Sequence, residues 1–157
     1  MESKISLSKI LCPVDFSPCS KHAVEYAIAF AQQYGAEICL LHVVESPAAA
    51  FAYVDLEVPE PELIQEFQEQ AQKQLDELTE AARKRYQNVS KELSFGKVYA
   101  EIVKYAEDWG AELIVVGTHG RSGLEHILIG SVAEKVVRKA PCPVLTVQHP
   151  EHEFIRP

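Results

Sequence analysis

The chain has 157 residues, of which 47% are hydrophobic and 24% charged, and its net charge is −8. This composition predicts one globular domain, residues 1–157, and excludes a disordered chain. No apolar run approaches the roughly 20 residues of a membrane-spanning helix, so no membrane partner is expected. The apolar run at Ile10 is interrupted by Pro13 and Asp15, which argues against a secretory leader and favours a cytosolic (cytoplasmic) location.

The acidic residues are concentrated in one segment. Asp55 to Glu80 contains nine acidic residues and one basic residue, Lys73. A second region, from Gly117 to Lys139, has more basic than acidic side chains. A polyphosphate could approach there, but no broad basic track exists, so a nucleic-acid partner is not expected.

The first half of the chain predicts two strands around a helix. The first strand runs from Ser8 to Asp15, and a helix follows with Ser17 as its cap, Pro18 in its first turn and Gly35 at its end. The second strand is Glu37 to Val44, and Ser46 to Pro61 is predicted to be a loop.

The second half continues the alternation. The predicted elements are a helix over Pro61–Tyr86, a strand over Val89–Phe95, a helix over Tyr99–Trp109, a strand over Glu112–Val116, a helix over Ser131–Lys139 and a strand over Pro143–Gln148. The helix over Pro61–Tyr86 has one apolar stripe, formed by Leu63, Phe67, Ala71, Leu75, Leu78 and Ala82. Alternating strands and helices predict an α/β domain whose parallel sheet is covered by helices on both faces.

The glycine segment, Gly117 to Ser131, reads GTHGRSGLEHILIGS and has the spacing Gly-x2-Gly-x9-Gly-Ser. It joins a strand to a helix, where free N–H groups and the helix dipole favour an anion. Glycine is expected there because a Cβ would hold a ligand away and forbid positive φ. Ligands of such sheets bind where the strand order reverses, so Asp15 and Gly117 would meet if the first and fourth strands are neighbours.

Several common nucleotide and hydrolase motifs are absent. The sequence has no G-x4-G-K-[ST], no G-x-G-x-x-G and no G-x-S-x-G. A P-loop, a dinucleotide fingerprint and a nucleophile elbow are therefore excluded. The four cysteines (Cys12, Cys19, Cys39, Cys142) form no C-x-x-C pair and are expected to be reduced. His126, His149 and His152 are too scattered for a metal site.

The paired blocks ILCPVDFS and VVGTHGRSGLEHILIGSVAEKVVRKAPCPVLTV resemble the ATP-binding subgroup of the universal stress protein family, over nearly the whole chain. The resemblance implies a five-stranded, Rossmann-like, doubly wound sheet of order 3-2-1-4-5, a homodimer, and an ATP site at the switch point, with Mg2+ brought by the nucleotide.

The resemblance also implies roles for individual residues. Pro13, Val14 and Asp15 would flank the adenosine, Val43 would contact adenine through its backbone, Val116 and Gly117 would lie against the ribose, and His119, Gly120, Gly130, Ser131, Val132 and Ala133 would hold the phosphates. Some ATP-binding members have a hydroxyl at the position of Ala133. Arg121 could reach a γ-phosphate or be solvated.

Plainer interpretations remain for several positions. Asp15 could be a turn residue, and Ser131 with Glu134 fits a capping box. His42, within a strand, is expected to be a packed core residue. The last strand would expose Val144, Leu145 and Val147 at a sheet edge, which favours pairing with a second copy. Alternatively, the tail His149–Pro157 folds over that edge.

Three functions follow from these features. The first is a cytosolic ATP-binding stress or regulatory protein. The second is slow ATP hydrolysis or phosphoryl transfer with His119 or Asp15 positioning water, for which no catalytic signature is present. The third is an interaction module that uses the acidic segment 55–80 without nucleotide.

Overall fold

The computed structural model describes residues 5–45, 61–120 and 129–149. Its elements follow the predicted order: β1 (Lys9–Pro13), α1 (Pro18–Tyr34), β2 (Glu37–Val44), α2 (Pro61–Arg83), β3 (Val89–Phe95), α3 (Val98–Trp109), β4 (Leu113–Gly117), α4 (Ser131–Lys139) and β5 (Val144–Val147). The loop predicted over Ser46–Pro61, residue Arg121 and the tail after His149 lie outside the described residues, apart from Pro61, which begins α2.

The five strands form one parallel sheet of order β3-β2-β1-β4-β5. This confirms the predicted doubly wound α/β domain. From β1 the chain builds β2 and β3 on one side and then returns to place β4 and β5 on the other. The order therefore reverses between β1 and β4, which pair directly through Leu11 and Ile114. Their carboxyl ends are neighbours, as the predicted site required.

Alternate residues of β1 pack into two hydrophobic cores, one on each face of the sheet. Ile10 and Cys12 pack on the face covered by α1 and α2, whereas Leu11 packs on the face covered by α3 and α4. All three side chains are fully buried. Because successive side chains of a strand point to opposite faces, an apolar run such as KILCP can satisfy both layers at once.

The ends of α1 match the capping signals. The Ser17 side chain accepts a hydrogen bond from the Ser20 N–H at 3.2 Å, and Pro18 occupies the first turn. Gly35 ends the helix at φ 71°, a left-handed conformation that side chains with a Cβ rarely adopt.

Helix α2 differs from its prediction in two ways. It ends at Arg83 instead of Tyr86, and its first apolar residues, Leu63 and Phe67, are 43% and 59% exposed, whereas Leu75 is fully buried. A helix of 23 residues is about 34 Å long at 1.5 Å per residue. The eight-residue β2 spans only about 26 Å. The first turns of α2 therefore have less sheet to pack against.

The described cysteines are free thiols, with Cys142 half-buried and the others buried. Within the described ranges, no helix has both the length and the apolar character needed to cross a membrane.

Candidate functional site

The turn between β1 and α1 holds Asp15 at the end of the sheet. β1 ends at Pro13 and not at Asp15 as predicted, because the backbone turns there. The Asp15 N–H donates to Ser20 Oγ at 3.3 Å, and Asp15 Oδ1 accepts from the Ser17 N–H at 2.9 Å. Asp15 is thus a turn residue, as one of the two interpretations expected. Its other carboxylate oxygen, Oδ2, lies on the side of Gly120.

The same turn contains an unusual backbone conformation. Phe16 has φ 64°, which for a bulky residue costs on the order of 1–3 kcal/mol and recurs at functional sites. Its ring lies 4.5 Å, centroid to centroid, from that of His42 on β2. The His42 Nδ1 lies 2.7 Å from the Val14 carbonyl oxygen, and since a carbonyl can only accept, Nδ1 bears the proton. The buried His42 therefore fixes the turn to β2.

At three glycines of the glycine segment, other parts of the chain come too close for a side chain. A Cβ added at Gly120 would lie 2.7 Å from Asp15 Oδ2, and one added at Gly130 would lie 2.9 Å from the Thr118 carbonyl oxygen. At Gly117 it would meet the Cys19 side chain and backbone at 3.0–3.2 Å. The expectation that these glycines need positive φ is wrong, since none of the three has it. Close approach of β4, the β1–α1 turn and α4 is the reason instead.

Helix α4 begins without a side-chain cap. Its N-cap is Gly130, whose carbonyl accepts from the Glu134 N–H at 3.0 Å, and Ser131 is the first helical residue. The capping-box interpretation of Ser131 and Glu134 is therefore wrong, because a residue inside the helix cannot cap it. The N–H groups of Ser131, Val132 and Ala133 have no partner within the helix, and they lie at the positive end of its dipole.

Two residues between β4 and α4 are held in place. The buried Thr118 donates its N–H to the Val147 carbonyl at 2.9 Å and accepts from Gly130 N–H through its own carbonyl at 2.5 Å. The His119 Nδ1 lies 2.9 Å from Thr118 Oγ1. Thr118 therefore fixes both the start of α4 and the ring of His119.

A cavity of about 280 Å³ lies at this edge of the sheet, between the carboxyl ends of β1, β2 and β4 and the start of α4. Its size is near the lower end of the range for small-molecule sites, roughly 300–1,000 Å³. The predicted site residues that line it are Pro13, Val14, Asp15, Val43, Val116, Gly117, His119, Gly120, Gly130, Ser131, Val132 and Ala133. Arg121 lies outside the described residues.

The lining has two chemically different parts. Leu41 and Val43 of β2 with Val98 and Ile102 of α3 give an apolar wall. The start of α4, with its uncapped N–H groups, gives a wall of hydrogen-bond donors. A ligand that joins a flat apolar group to an anion matches this arrangement.

Comparison with known proteins assigns the chain to a protein family. The sequence profile described as the Universal stress protein family matches residues 7–148. The chain belongs to the universal stress protein family. The start of α4 without a side-chain cap and the close approach of Asp15 to Gly120 are therefore features of a universal stress protein.

Relatives agree with this assignment. The chain is 40% identical over 148 residues to universal stress protein MJ0531 of Methanocaldococcus jannaschii, covering 92% of this chain and 84% of that one. It is 33% identical to universal stress protein MJ0577 of the same organism, over 92% and 96% of the two chains. The solved MJ0577 structure superposes with a TM-score of 0.79 and covers 92% of this chain and 97% of that one. A universal stress protein from Archaeoglobus fulgidus in complex with dAMP, 23% identical, shares the fold with a TM-score of 0.64 and covers 92% and 99% of the two chains.

Sequence reasoning missed six residues of this universal stress protein's cavity, and three of them, Leu41, Val98 and Ile102, belong to the apolar wall. Ser20, His42 and Thr118 also line it. His42 was expected only as a core residue, and although it is buried, it faces the cavity as well. Thr118 lies between Gly117 and His119 in the sequence, so its position in the glycine segment could have identified it as a site residue. Ser20 accepts a hydrogen bond from the Asp15 N–H, and nothing in the sequence predicts that contact.

Proposed function

We propose that this protein binds ATP in the cavity and acts as a cytosolic stress-response or regulatory protein. The observation that supports this most is the start of α4, where a helix with no side-chain cap begins at a cavity that also has an apolar wall. Adenine would lie against Val43 and the apolar wall, with ribose near Val116 and Gly117.

The phosphates would lie at the glycine segment and the start of α4. Backbone N–H groups of Ser131, Val132 and Ala133 would donate to them, with His119 and Gly120 alongside. Among the described residues, no group of three or more His, Cys, Asp and Glu could hold a metal ion. Mg2+ would therefore arrive on the phosphates of the nucleotide.

A dAMP complex is known for the Archaeoglobus fulgidus protein, but at 23% identity that likeness extends to the fold alone. The proposal therefore depends on the geometry of this chain. It is independent of any single side chain in the phosphate wall, because the donors there are backbone groups.

One matched pair of variants tests the role of those backbone groups. Ser131→Pro removes one N–H at the first helical position, where proline is tolerated, and the preceding Gly130 at ψ 159° is compatible with it. Ser131→Ala removes the hydroxyl but keeps the N–H. We expect ATP affinity by calorimetry to fall about tenfold in Ser131→Pro and much less in Ser131→Ala. Equal affinities in both variants and the unsubstituted protein would contradict phosphate binding at α4.

Purified protein gives a second test. Heating it and analysing the supernatant should release an adenine nucleotide, and an emptied sample should give binding heat with ATP. No released nucleotide and no heat at millimolar ATP would overturn the proposal.

Slow hydrolysis remains a separate hypothesis. His119 and Asp15 both line the cavity, but one oxygen of Asp15 already serves the Ser17 N–H. Phosphate release that is the same in His119→Ala and Asp15→Asn as in the unsubstituted protein would remove both residues from any catalytic role. Recruitment of partners by the acidic segment 55–80 also stays a hypothesis.

The proposal includes a homodimer formed through β5. This strand is at one edge of the sheet, and Val144 and Leu145 are only half-buried within one chain, although Val147 is buried. An unpaired edge strand is a template for pairing with a second copy.

A further inference from the structure

Three lysines converge on one tyrosine beside the cavity. The Nζ atoms of Lys97, Lys135 and Lys139 lie 5.1, 5.0 and 5.3 Å from the centre of the Tyr99 ring. Lys97 precedes α3, Tyr99 is in its first turn, and the other two lysines are on α4. We call these four residues the lysine patch.

The lysine patch has no acidic partner among the described residues. None of its lysines belongs to an ion pair there, and the nearby Glu134 of α4 is paired with Arg138 at 2.9 Å. Lys135 and Lys139 are four residues apart on one helix face, an arrangement of like charges that destabilises a helix. A protein with a net charge of −8 thus concentrates positive charge in one place, and an anion would relieve the repulsion.

The lysine patch adjoins the cavity but is distinct from it. Val98, between Lys97 and Tyr99 in sequence, lines the cavity, whereas none of the four residues of the patch does. Lys135 is four residues beyond Ser131, or about 6 Å along the α4 axis. A ligand on the patch would therefore lie past the rim, beside the α4 start.

We propose that the lysine patch is a second anion site, which binds a compact anion with several phosphate groups. Three ammonium groups around one ring can contact neighbouring phosphates of the same small molecule, and lysine binds phosphate as a point charge. The Tyr99 ring holds the ammonium groups together through cation–π contacts. An acidic protein segment would need its carboxylates equally close together, which an extended chain does not provide.

Inorganic tripolyphosphate is a suitable probe because it contains no base for the apolar wall. The test variant is Lys97→Gln/Lys135→Gln/Lys139→Gln. The matched control, Lys73→Gln/Lys84→Gln/Lys104→Gln, removes the same charge from exposed positions elsewhere. We expect tripolyphosphate affinity to fall about tenfold in the test variant and to change less than about twofold in the control. Equal losses in the two variants would overturn the proposal, because only net charge would then matter.

A second variant separates a built site from diffuse charge. Tyr99→Leu leaves every charge in place and keeps an apolar side chain, but it removes the ring that gathers the lysines. Its tripolyphosphate affinity should fall several-fold, and an unchanged affinity would contradict the proposed arrangement. If an oligoglutamate peptide of the same charge binds as tightly as tripolyphosphate, with the same dependence on the lysines, the surface is an acidic-protein site and the phosphate proposal fails.

This inference and ATP binding in the cavity can fail separately. AMP, which lacks the outer phosphates, should bind equally to the lysine variant and its control. If the unsubstituted protein does not bind ATP, the cavity proposal is refuted and the tripolyphosphate comparison remains intact. Circular dichroism and melting temperatures of all variants would confirm that each is folded.

Discussion

The Asp15 carboxylate lies close to the Gly120 backbone, with only 2.7 Å between Asp15 Oδ2 and the place where a Cβ on Gly120 would be. The two residues follow the neighbouring strands β1 and β4. The other oxygen of Asp15 accepts from the Ser17 N–H, which limits how far the carboxylate can rotate. The absence of a side chain at residue 120 therefore sets the distance between the two loops that flank the cavity.

Gly120→Ala should strain this contact. We expect a loss of stability of about 1–3 kcal/mol, typical of overpacking, and weaker ATP binding because the loops are pushed apart. Urea unfolding and calorimetry measure the two effects. The double variant Gly120→Ala/Asp15→Ala removes the carboxylate and should recover part of the stability lost in Gly120→Ala. Additive losses would show that the two residues do not interact.

Ser17 and Ser131 give a paired test of helix capping. Ser17 caps α1, so Ser17→Ala should cost about 0.5–2 kcal/mol. Ser131 is inside α4 and caps nothing, so Ser131→Ala should change stability by less than about 0.5 kcal/mol, as for an ordinary surface substitution. A larger loss in Ser131→Ala than in Ser17→Ala would restore the capping-box interpretation.

A substitution at the outer edge of β5 should block formation of the dimer. The carbonyls of Pro143 and Val147 accept from β4, so by alternation the backbone of Thr146 faces away from the sheet. Thr146→Pro removes an outward N–H without breaking the β4 ladder, and edge strands tolerate proline. Light scattering should show a monomer for Thr146→Pro and a dimer for Thr146→Val, which keeps the N–H. A dimer in both would mean that β5 is not the interface.

Tyr99 should report on the lysine patch by its ionisation. The hydrogen bond and charge of Lys97, with the charges of Lys139 and Lys135, lower the pKa of Tyr99 below its usual value near 10. Lys97→Gln should therefore raise the Tyr99 pKa, and the exposed Lys104→Gln should leave it unchanged. The signal at 295 nm, taken as the difference from Tyr99→Phe, isolates this residue. A Tyr99 pKa that is the same in both lysine variants would show that Lys97 does not contact the phenol.

Most of the fold could be predicted because its signals are local. Ser17, Pro18 and Gly35 mark the ends of α1, the bounds of β2 follow from an apolar run, and Gly96 marks the end of β3. The strand order is different, since it depends on pairing between distant segments. It was available only through the resemblance of the whole chain to a known family.

What the sequence could not show depends on packing at a distance. The exposure of Leu63 and Phe67 follows from the length of α2 relative to the sheet, not from its apolar stripe. Positive φ was expected at the glycine segment, but in the described residues it occurs at Phe16 and at three other glycines, Gly35, Gly96 and Gly110. The Asp15–Gly120 contact joins two loops that only the folded sheet brings together.

The most direct test of ATP binding is a crystal structure of the protein grown with ATP and Mg2+. We predict adenine beside Val43 and phosphate oxygens within hydrogen-bond distance of the N–H groups of Ser131, Val132 and Ala133. ATP bound elsewhere, or an α4 start that contacts no phosphate, would contradict this prediction.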